Sequence, residues 1–459
     1  MKGVPIHLDH QGEPLYLQIA RAIVDAIQEG RIAANTRLPS IRSLARELEV
    51  NPVTVVSAYR HLEQQGYAWS KPGSGTYSGS VQTTAPARQI SVPADAINFA
   101  SSTPTPDIFP VEDFRQHLNR ILDRDGGHAF GYQESQGYLP LRESFAQYLL
   151  NLTIEADPRQ IHIISGAQQG IDIATKMLCR HGDTVVVEDP TYPGAMAAIL
   201  SRGGRPLTVP LTPDGPDLVA LEELFSRHKP RFFYCMPNYQ NPTGCTWTPA
   251  IRQAVLELAH RHQIYIVEDD FLTELNFSQH QNTPLKAVDT RGRVLYIKSF
   301  SKILMPGLRL GLLLAPPDLV EAAGEAKHLS DITSSGLLQR AFDLYLREGA
   351  WQRHLQEMKD IYQLRYQELL IQVQKLSLKL TPPNGGLHLW LGAGMDCDQL
   401  AQRCLERKVL IIPGSQFSPR HRNYLRLSFA AVHQGQIKEG IAILADALQT
   451  RNPQISPLL

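Results

Sequence analysis

The chain has little cysteine: five residues, Cys179, Cys235, Cys245, Cys397 and Cys404, in 459, with no CxxC pair among them. That scatter excludes a disulfide framework and a paired-cysteine zinc site, and leaves reduced thiols. Neither sign of charge is in excess, since Lys plus Arg and Asp plus Glu number 45 each. No bulk field therefore draws the molecule to nucleic acid or membrane, and any DNA contact has to be local. No stretch approaches the roughly 20 uncharged apolar residues of a membrane span, and no apolar run follows the single early lysine of MKGVPIHLDHQGEP. The expectation is a soluble, cytoplasmic protein without a metal site or an internal repeat. What is present is 43% apolar content, enough for large cores in two or three domains.

From Pro14 to Gly30, Leu15, Ile19, Ile23 and Ile27 recur every four positions, which predicts an amphipathic helix stopped by glycine. In LPSIRSLARELEV, Ser40 is placed as an N-cap with Leu44 and Leu48 on one face. NPVTVVSAYRHLEQQGY follows after a tight break, with Val55, Tyr59 and Leu62 as its buried side. Pro52 falls in the first turn, where its missing N–H has no intrahelical role. Two short helices on a tight turn form the helix-turn-helix pattern, and a helical protein-interaction module is the other reading. YAWSKPGSGTYS then reads as a hairpin, or wing, around Pro-Gly-Ser-Gly. Over residues 1–79, eight bases face seven acids, a net of +1, so phosphate neutralisation supplies only weak non-specific DNA affinity.

Residues 80–96 lose periodicity and gain Pro, Thr and Ala, as a linker does. Beyond Asp157 strand-like and helix-like runs alternate: IHIIS, QQGIDIATKMLCR, DTVVVED, GAMAAILSRGG, RFFYCM, PAIRQAVLELAHRHQ, IYIVEDD, VLYIKSF and RLGLLLA. Near-continuous apolar strands in that alternation predict a mostly parallel sheet with helices on both faces. Past Ala315, long helical stretches lead to GGLHLWL, KVLIIP and YLRLSF, the pattern of a smaller α/β domain.

Four motifs carry chemistry. In SFSKILMPGLRLG, Lys302 is flanked by Ser299 and Ser301 and followed by Arg309, groups suited to hold a phosphate beside a reactive amine; the alternative is a loop lysine on the surface. IVEDDF ends an apolar strand in two aspartates, either of which suits a ring nitrogen or simply caps the strand. NYQNPTG sets Asn241 just past RFFYCM, as an amide donor or as part of a plain turn. ISGAQQG runs from a strand end into a helix start, where backbone N–H groups favour phosphate, as many α/β turns also do.

With these motifs in order, the region from Ile97 onward resembles a fold-type I pyridoxal-phosphate aminotransferase domain, and residues 1–79 resemble a GntR-type winged helix. The fusion resembles the MocR subfamily of GntR regulators. This resemblance implies a 1–79 DNA-binding domain, an 80–96 linker and a 97–459 cofactor-binding region, with a large domain over about 130–330 and a small one over about 331–459 that includes an N-terminal arm. It implies pyridoxal 5′-phosphate held as an aldimine by Lys302, with Ser299, Ser301, Arg309, Ala167 and Gln168 on the phosphate. Tyr192 is implied to stack on the ring, Asn241 to bind its oxygen, and Asp269 to meet its nitrogen, with Asp270 as the fallback. Arg426 matches the arginine that grips a carboxylate, and Tyr132 one that reaches the neighbouring subunit's cofactor, so a homodimer is implied. On the DNA side, Asn51, Val53, Thr54 and Ser57 match the helix end that enters the major groove. Arg42 matches a contacting arginine, and Gly73, Ser74, Gly75 and Thr76 the wing.

Two departures stand out against the family. Phe271 and Leu272 stand where relatives carry a tyrosine that donates to the ring oxygen, which leaves Asn241 as its protein donor, and Pro52 replaces a frequent arginine. The resemblance thus implies a regulator of operator DNA that senses an amine or amino acid by aldimine exchange. The alternative is an amino acid aminotransferase with an accessory DNA-binding domain.

Overall fold

The computed structural model describes residues 6, 8, 13–28, 31–32, 36–64, 67–71, 74–78, 93, 95–278 and 282–449. Gly73 and most of the 80–96 segment lie outside them. The chain divides into two units, Met1–Ile90 and Ser91–Leu459.

In the first unit, α1 (Leu15–Gln28) turns the fully buried Ile19 and Ile23 inward. Ser40 caps α2 (Ile41–Glu47) by accepting from the Ser43 amide at 3.2 Å. Asn51 does the same for α3 (Pro52–Gln64), its Oδ1 accepting from the Val53 amide at 2.9 Å. Val55, Ala58, Tyr59 and Leu62 form one buried stripe on α3. The larger aliphatic residues of this core contribute about 2 kcal/mol each relative to exposure. Tyr59 Oη donates to the Pro39 carbonyl at 2.8 Å, tying α3 to the entry of α2. β1 (Ala68–Lys71) and β2 (Gly75–Ser78) pair antiparallel with Trp69 opposite Tyr77, their rings stacked at 4.8 Å.

The second unit opens with β3 (Ile97–Asn98), α4 (Val111–Asp125) and α5 (Leu139–Leu150). Strands and helices then alternate through β4 (Ile161–Ile164), α6 (Ala167–Leu178), β5 (Thr184–Asp189), α7 (Pro193–Ser201), β6 (Arg205–Thr212) and β7 (Gly215–Pro216). They continue through α8 (Leu218–His228), β8 (Phe232–Cys235), α9 (Pro249–Arg261), β9 (Tyr265–Asp270), β10 (Val294–Ser299) and β11 (Gly311–Leu314). These strands form one sheet in the order β4-β11-β10-β9-β8-β5-β6-β7. β10, β9, β8, β5 and β6 run parallel, while β11 and β7 are antiparallel to their neighbours. RLGLLLA is therefore the strand that breaks the expected parallel alternation. β4, β8, β10 and β11 are buried along their whole lengths, as strands covered on both faces must be.

After β11 come α10 (Val320–Asp331), α11 (Gly336–Arg347) and α12 (Ala350–Val373). α11 packs on α4 and α5, where Ser144 Oγ donates to Asp343 Oδ1 at 2.5 Å. Beyond α12 lie β12 (Lys379–Leu380), β13 (His388–Gly392), α13 (Cys397–Glu406), β14 (Val409–Leu410), β15 (Ile412–Pro413), β16 (Tyr424–Ser428) and α14 (Gln434–Gln449). An antiparallel sheet β12-β13-β16-β15 forms here, and β3 pairs parallel with β14, joining the arm to this part of the unit. All five cysteines are free, and four are buried. Among the described residues no helix is long and apolar enough to cross a membrane, and no His, Cys, Asp or Glu cluster is arranged to hold a metal.

Candidate cofactor site and nucleic-acid interface

Ligands of open α/β sheets sit at the carboxyl ends of the parallel strands, and the sequence motifs converge there. Lys302 stands just past β10; burial, then the positive charges of Arg426 and Arg309, push its amine down to about 8. Near that pH half of the amine carries no proton, the condition a nucleophilic lysine needs. Ser299, Gly311 and Ile164 are in register across β10, β11 and β4, so the serine adjoins the turn that follows β4. In that turn Gly166 adopts φ +86° before α6 begins at Ala167. A Cβ at Gly166 would lie 2.9 Å from Arg309 Nη2, so the guanidinium covers the turn closely. Arg309 also donates to the Ser165 carbonyl. The amides of Ala167 and Gln168 open the helix, where no intrahelical acceptor exists for them. Gln168 accepts from Tyr192 Oη at 3.2 Å and donates to the Gly194 carbonyl at 3.0 Å, fixing that tyrosine beside the turn. Ser301 donates its amide to Ser299 Oγ at 3.3 Å.

The two strand-end aspartates behave differently because neighbours on a strand face opposite ways. Asp270 is saturated: Oδ1 accepts from Lys298 Nζ at 3.2 Å and the Thr273 amide at 3.0 Å, and Oδ2 from Tyr296 Oη at 2.6 Å. Asp269 Oδ2 accepts from Tyr234 Oη at 2.7 Å, whereas its buried Oδ1 has no protein partner. Burial raises Asp269 to about 6 against the opposing Tyr234 hydrogen bond, with Asp270 adding to the rise and Lys298 opposing it. Of the two acids, Asp269 has an oxygen left for a ligand.

Arg426, in β16, is buried, and burial brings its pKa to about 9. It donates from Nη1 to Asn241 Oδ1 at 2.7 Å and from Nη2 to the Ala100 carbonyl at 2.6 Å, while Nε has no partner. Because Asn241 turns its oxygen to Arg426, its amide hydrogens remain for another acceptor. The Asn241 loop is anchored by Glu188, which burial raises to about 8 and which accepts from the Met236 amide at 3.1 Å, Gln240 Nε2 at 3.3 Å and Trp247 Nε1 at 3.3 Å. Phe271 and Leu272 are buried and bring no hydroxyl to the site. Tyr132 is 86% exposed. Sequence reasoning missed Tyr234, Glu188 and Ala100; only Tyr234 left a trace, as a hydroxyl inside an apolar strand that must find a partner.

In the first unit, Arg42 is exposed on α2 and Val53 is 66% exposed at the start of α3, with Thr54 and Ser57 half-buried beside it. Asn51 is engaged as the cap of α3. In the wing, Ser74 Oγ pairs with Tyr77 Oη at 2.7 Å and Thr76 Oγ1 with Ser70 Oγ at 2.9 Å. Gly75 adopts φ +119° with Arg37 packed against it, at 3.1 Å from the place of a Cβ. The Leu38 amide donates to the Thr76 carbonyl at 2.9 Å, which fixes the hairpin to the strand-like segment before α2.

Residues 94–444 match the aminotransferase class I and II family, and residues 15–77 match the gntR family of bacterial regulatory proteins. The HTH-type transcriptional regulator YcxD of Bacillus subtilis is 30% identical, covering 94% of this chain and 99% of its own. The probable rhizopine catabolism regulatory protein MocR of Rhizobium meliloti is 29% identical over 95% of this chain and 94% of its own. The crystal structure of LysN, an α-aminoadipate aminotransferase of Thermus thermophilus complexed with N-(5′-phosphopyridoxyl)-L-leucine, superposes with a TM-score of 0.73 at 33% identity, covering 77% of this chain and 92% of that one. A fold-type I aminotransferase unit thus follows a GntR helix-turn-helix unit, and the chain belongs to the aminotransferase class I and II family in the arrangement of the MocR-type transcription regulators.

Proposed function

We propose that this protein regulates transcription from operator DNA by sensing an amine or amino acid at a pyridoxal-phosphate site centred on Lys302, as a homodimer in the cytoplasm. The observation that carries the reading is the unpartnered, buried Oδ1 of Asp269 in the same site as the half-deprotonated Lys302 amine. A pyridinium N–H fits that oxygen, and the Gly166 turn under Arg309 fits a phosphate. When bound, pyridoxal phosphate supplies an aldehyde that condenses with amines and a ring that withdraws electrons. The α6 amides of Ala167 and Gln168, with Ser299, Ser301 and Arg309, would hold its phosphate; Tyr192 would lie on its ring and Asn241 would donate to the ring oxygen. Asp269 would keep a proton on the ring nitrogen, and Lys302 would provide the exchanging amine. Tyr132, exposed in one chain, would complete a partner's site.

The domains in this reading are 1–79, a linker over 80–96, and 97–459. Arg426 grips the Ala100 carbonyl, and Ala100 lies on the arm that leads directly into the linker. A carboxylate taken up by Arg426 competes for that guanidinium, which offers a route from effector to linker. Aminotransferase activity with an accessory DNA-binding domain is the second reading, supported by the retained Lys302, Asp269 and Arg426.

Arg426→Ala is expected to weaken binding of carboxylate-bearing effectors by about 2–5 kcal/mol, the loss of a desolvated charge pair, with cofactor uptake retained. Calorimetric titration with an amino acid that binds the wild type measures this, and unchanged affinity would remove Arg426 from the effector site.

Arg42→Ala and Thr54→Ala are each expected to weaken operator binding in fluorescence anisotropy while the cofactor spectrum stays the same. A lost phosphate contact from Arg42 lowers the salt slope by about one counterion and weakens all sequences alike, whereas a lost Thr54 base contact relaxes specificity at one position. Wild-type affinity in both variants would exclude the α2–α3 face. Operator binding is expected to need the dimer, because one nearly neutral 1–79 unit neutralises little phosphate, and a fragment of residues 1–79 binding as tightly as the full chain at equal salt would defeat that requirement.

A further inference from the structure

His388 belongs to the GGLHLWL strand, and no part of the reading above uses it. It lies on the same face of β13 as Trp390, which is paired with Arg426 across β13 and β16, so His388 is the diagonal neighbour of the carboxylate-binding arginine. Its alternate neighbours Leu387, Leu389 and Leu391 turn the other way, into the core. The ring is 1% exposed, and burial with the positive charges of Arg426 and Lys302 keeps it neutral. Nε2 lies 2.6 Å from Ser102 Oγ on the arm, and Nδ1 has no partner. The Phe271 ring is 6.2 Å away. An unpaired imidazole nitrogen is an unfavourable thing to bury unless a ligand completes it.

We propose that His388 is a specificity-determining residue whose Nδ1 hydrogen-bonds an uncharged polar side chain, a hydroxyl or carboxamide, of an α-amino acid gripped by Arg426. This deepens the proposed Lys302 site and rests on it. Hydroxyl and carboxamide groups both donate and accept, so either tautomer that Ser102 selects can bind them. A site built to pair such a group discriminates against the apolar isostere, because binding the isostere leaves the imidazole unsatisfied.

The test uses the full-length, cofactor-loaded protein and three shape-matched pairs: L-serine with L-2-aminobutyrate, L-threonine with L-valine, and L-asparagine with L-leucine. Dissociation constants come from calorimetry. At least one polar member is expected to bind about tenfold or more tightly than its apolar partner, the worth of a buried hydrogen bond. His388→Phe brings that ratio to about one, and His388→Asn, which keeps a hydrogen-bonding group near Nδ1, retains part of it. Ser102→Ala leaves the ring in place and lowers the ratio a few-fold, which keeps the test open if a ring variant melts early. No pair favouring its polar member, or a ratio unchanged in His388→Phe, overturns the proposal. Failure of the wild type to take up cofactor, read from its absorbance before any amino acid is added, overturns the site reading itself and this proposal with it.

Discussion

Lys302→Ala is expected to abolish covalent capture of pyridoxal phosphate completely. After borohydride treatment, peptide mass spectrometry should find the cofactor on the Lys302 peptide of the wild type and nowhere in the variant. The competing amine is Lys298, four residues earlier, and the two lysines differ in electrostatics. Burial lowers the Lys298 pKa, but Asp270 and Glu274 outweigh it and hold this ammonium above its ordinary value. Lys302 has no such carboxylate and sits at about 8. The capture rate of the wild type should therefore climb with pH and level off above about 8. Because the folded pKa of Lys302 lies below its unfolded value of 10.5, the folded state binds fewer protons between those limits. Stability of the cofactor-free wild type gains from this residue as pH rises through that window, and the alanine variant lacks the gain. The same borohydride-fixed yield in the variant would show that another lysine is used.

Lys298→Met is expected to destabilise the protein by about 3–5 kcal/mol at pH 8, since it strands buried carboxylates without their cation. Lys298 Nζ bridges Asp270 Oδ1 at 3.2 Å and Glu274 Oε2 at 2.5 Å, and all three side chains are buried. Tyr296 and Tyr148 complete the network by donating to Asp270 and Glu274. In the wild type Asp270 is held below its ordinary pKa, so its stabilisation is present above the unfolded value and fades as acid is added. Without the lysine, only neutral hydrogen bonds oppose the burial that favours a protonated Asp270, so the variant's deficit is expected to shrink as pH falls and to grow as pH rises. Urea melts at pH 5.5 and pH 8 read both effects. A loss under about 1 kcal/mol at pH 8, or an equal loss at both pH values, would mean that the network does not hold this part of the fold.

Much of this architecture is written locally. Ser40 announces its helix because a side-chain oxygen needs only the next two or three amides to act as a cap, whereas Asn51, read from the sequence as a groove contact, caps α3 in the same way. The Val55, Tyr59 and Leu62 stripe and the apolar runs of β8 and β10 carry their burial in their spacing. The antiparallel direction of β11 was not legible, because an apolar strand has the same composition in either direction. Nor does any local spacing announce the bond between Asp343 of α11 and Ser144 of α5, which spans 199 positions.

Within the candidate site, residue types and their order came from the chain, and allegiances came from packing. The EDDF motif offers two adjacent carboxylates of the same chemistry, and strand alternation guarantees only that they face apart. Tyr234 on β8 and Lys298 on β10 decide that Asp270 is consumed by structure while Asp269 keeps an unpartnered oxygen. Arg426 could be named from YLRLSF, yet its partners Asn241 and Ala100 are 185 and 326 positions away. His388 meets Ser102 across 286 positions. The sequence by itself determined the Ser40 cap, the apolar strands, the two-unit order and the set of candidate site residues, because each depends on neighbours a few positions apart. Only the tertiary structure decided which acid and which imidazole nitrogen are left for a ligand, because whether a polar atom is satisfied depends on strands that become neighbours only when the sheet closes.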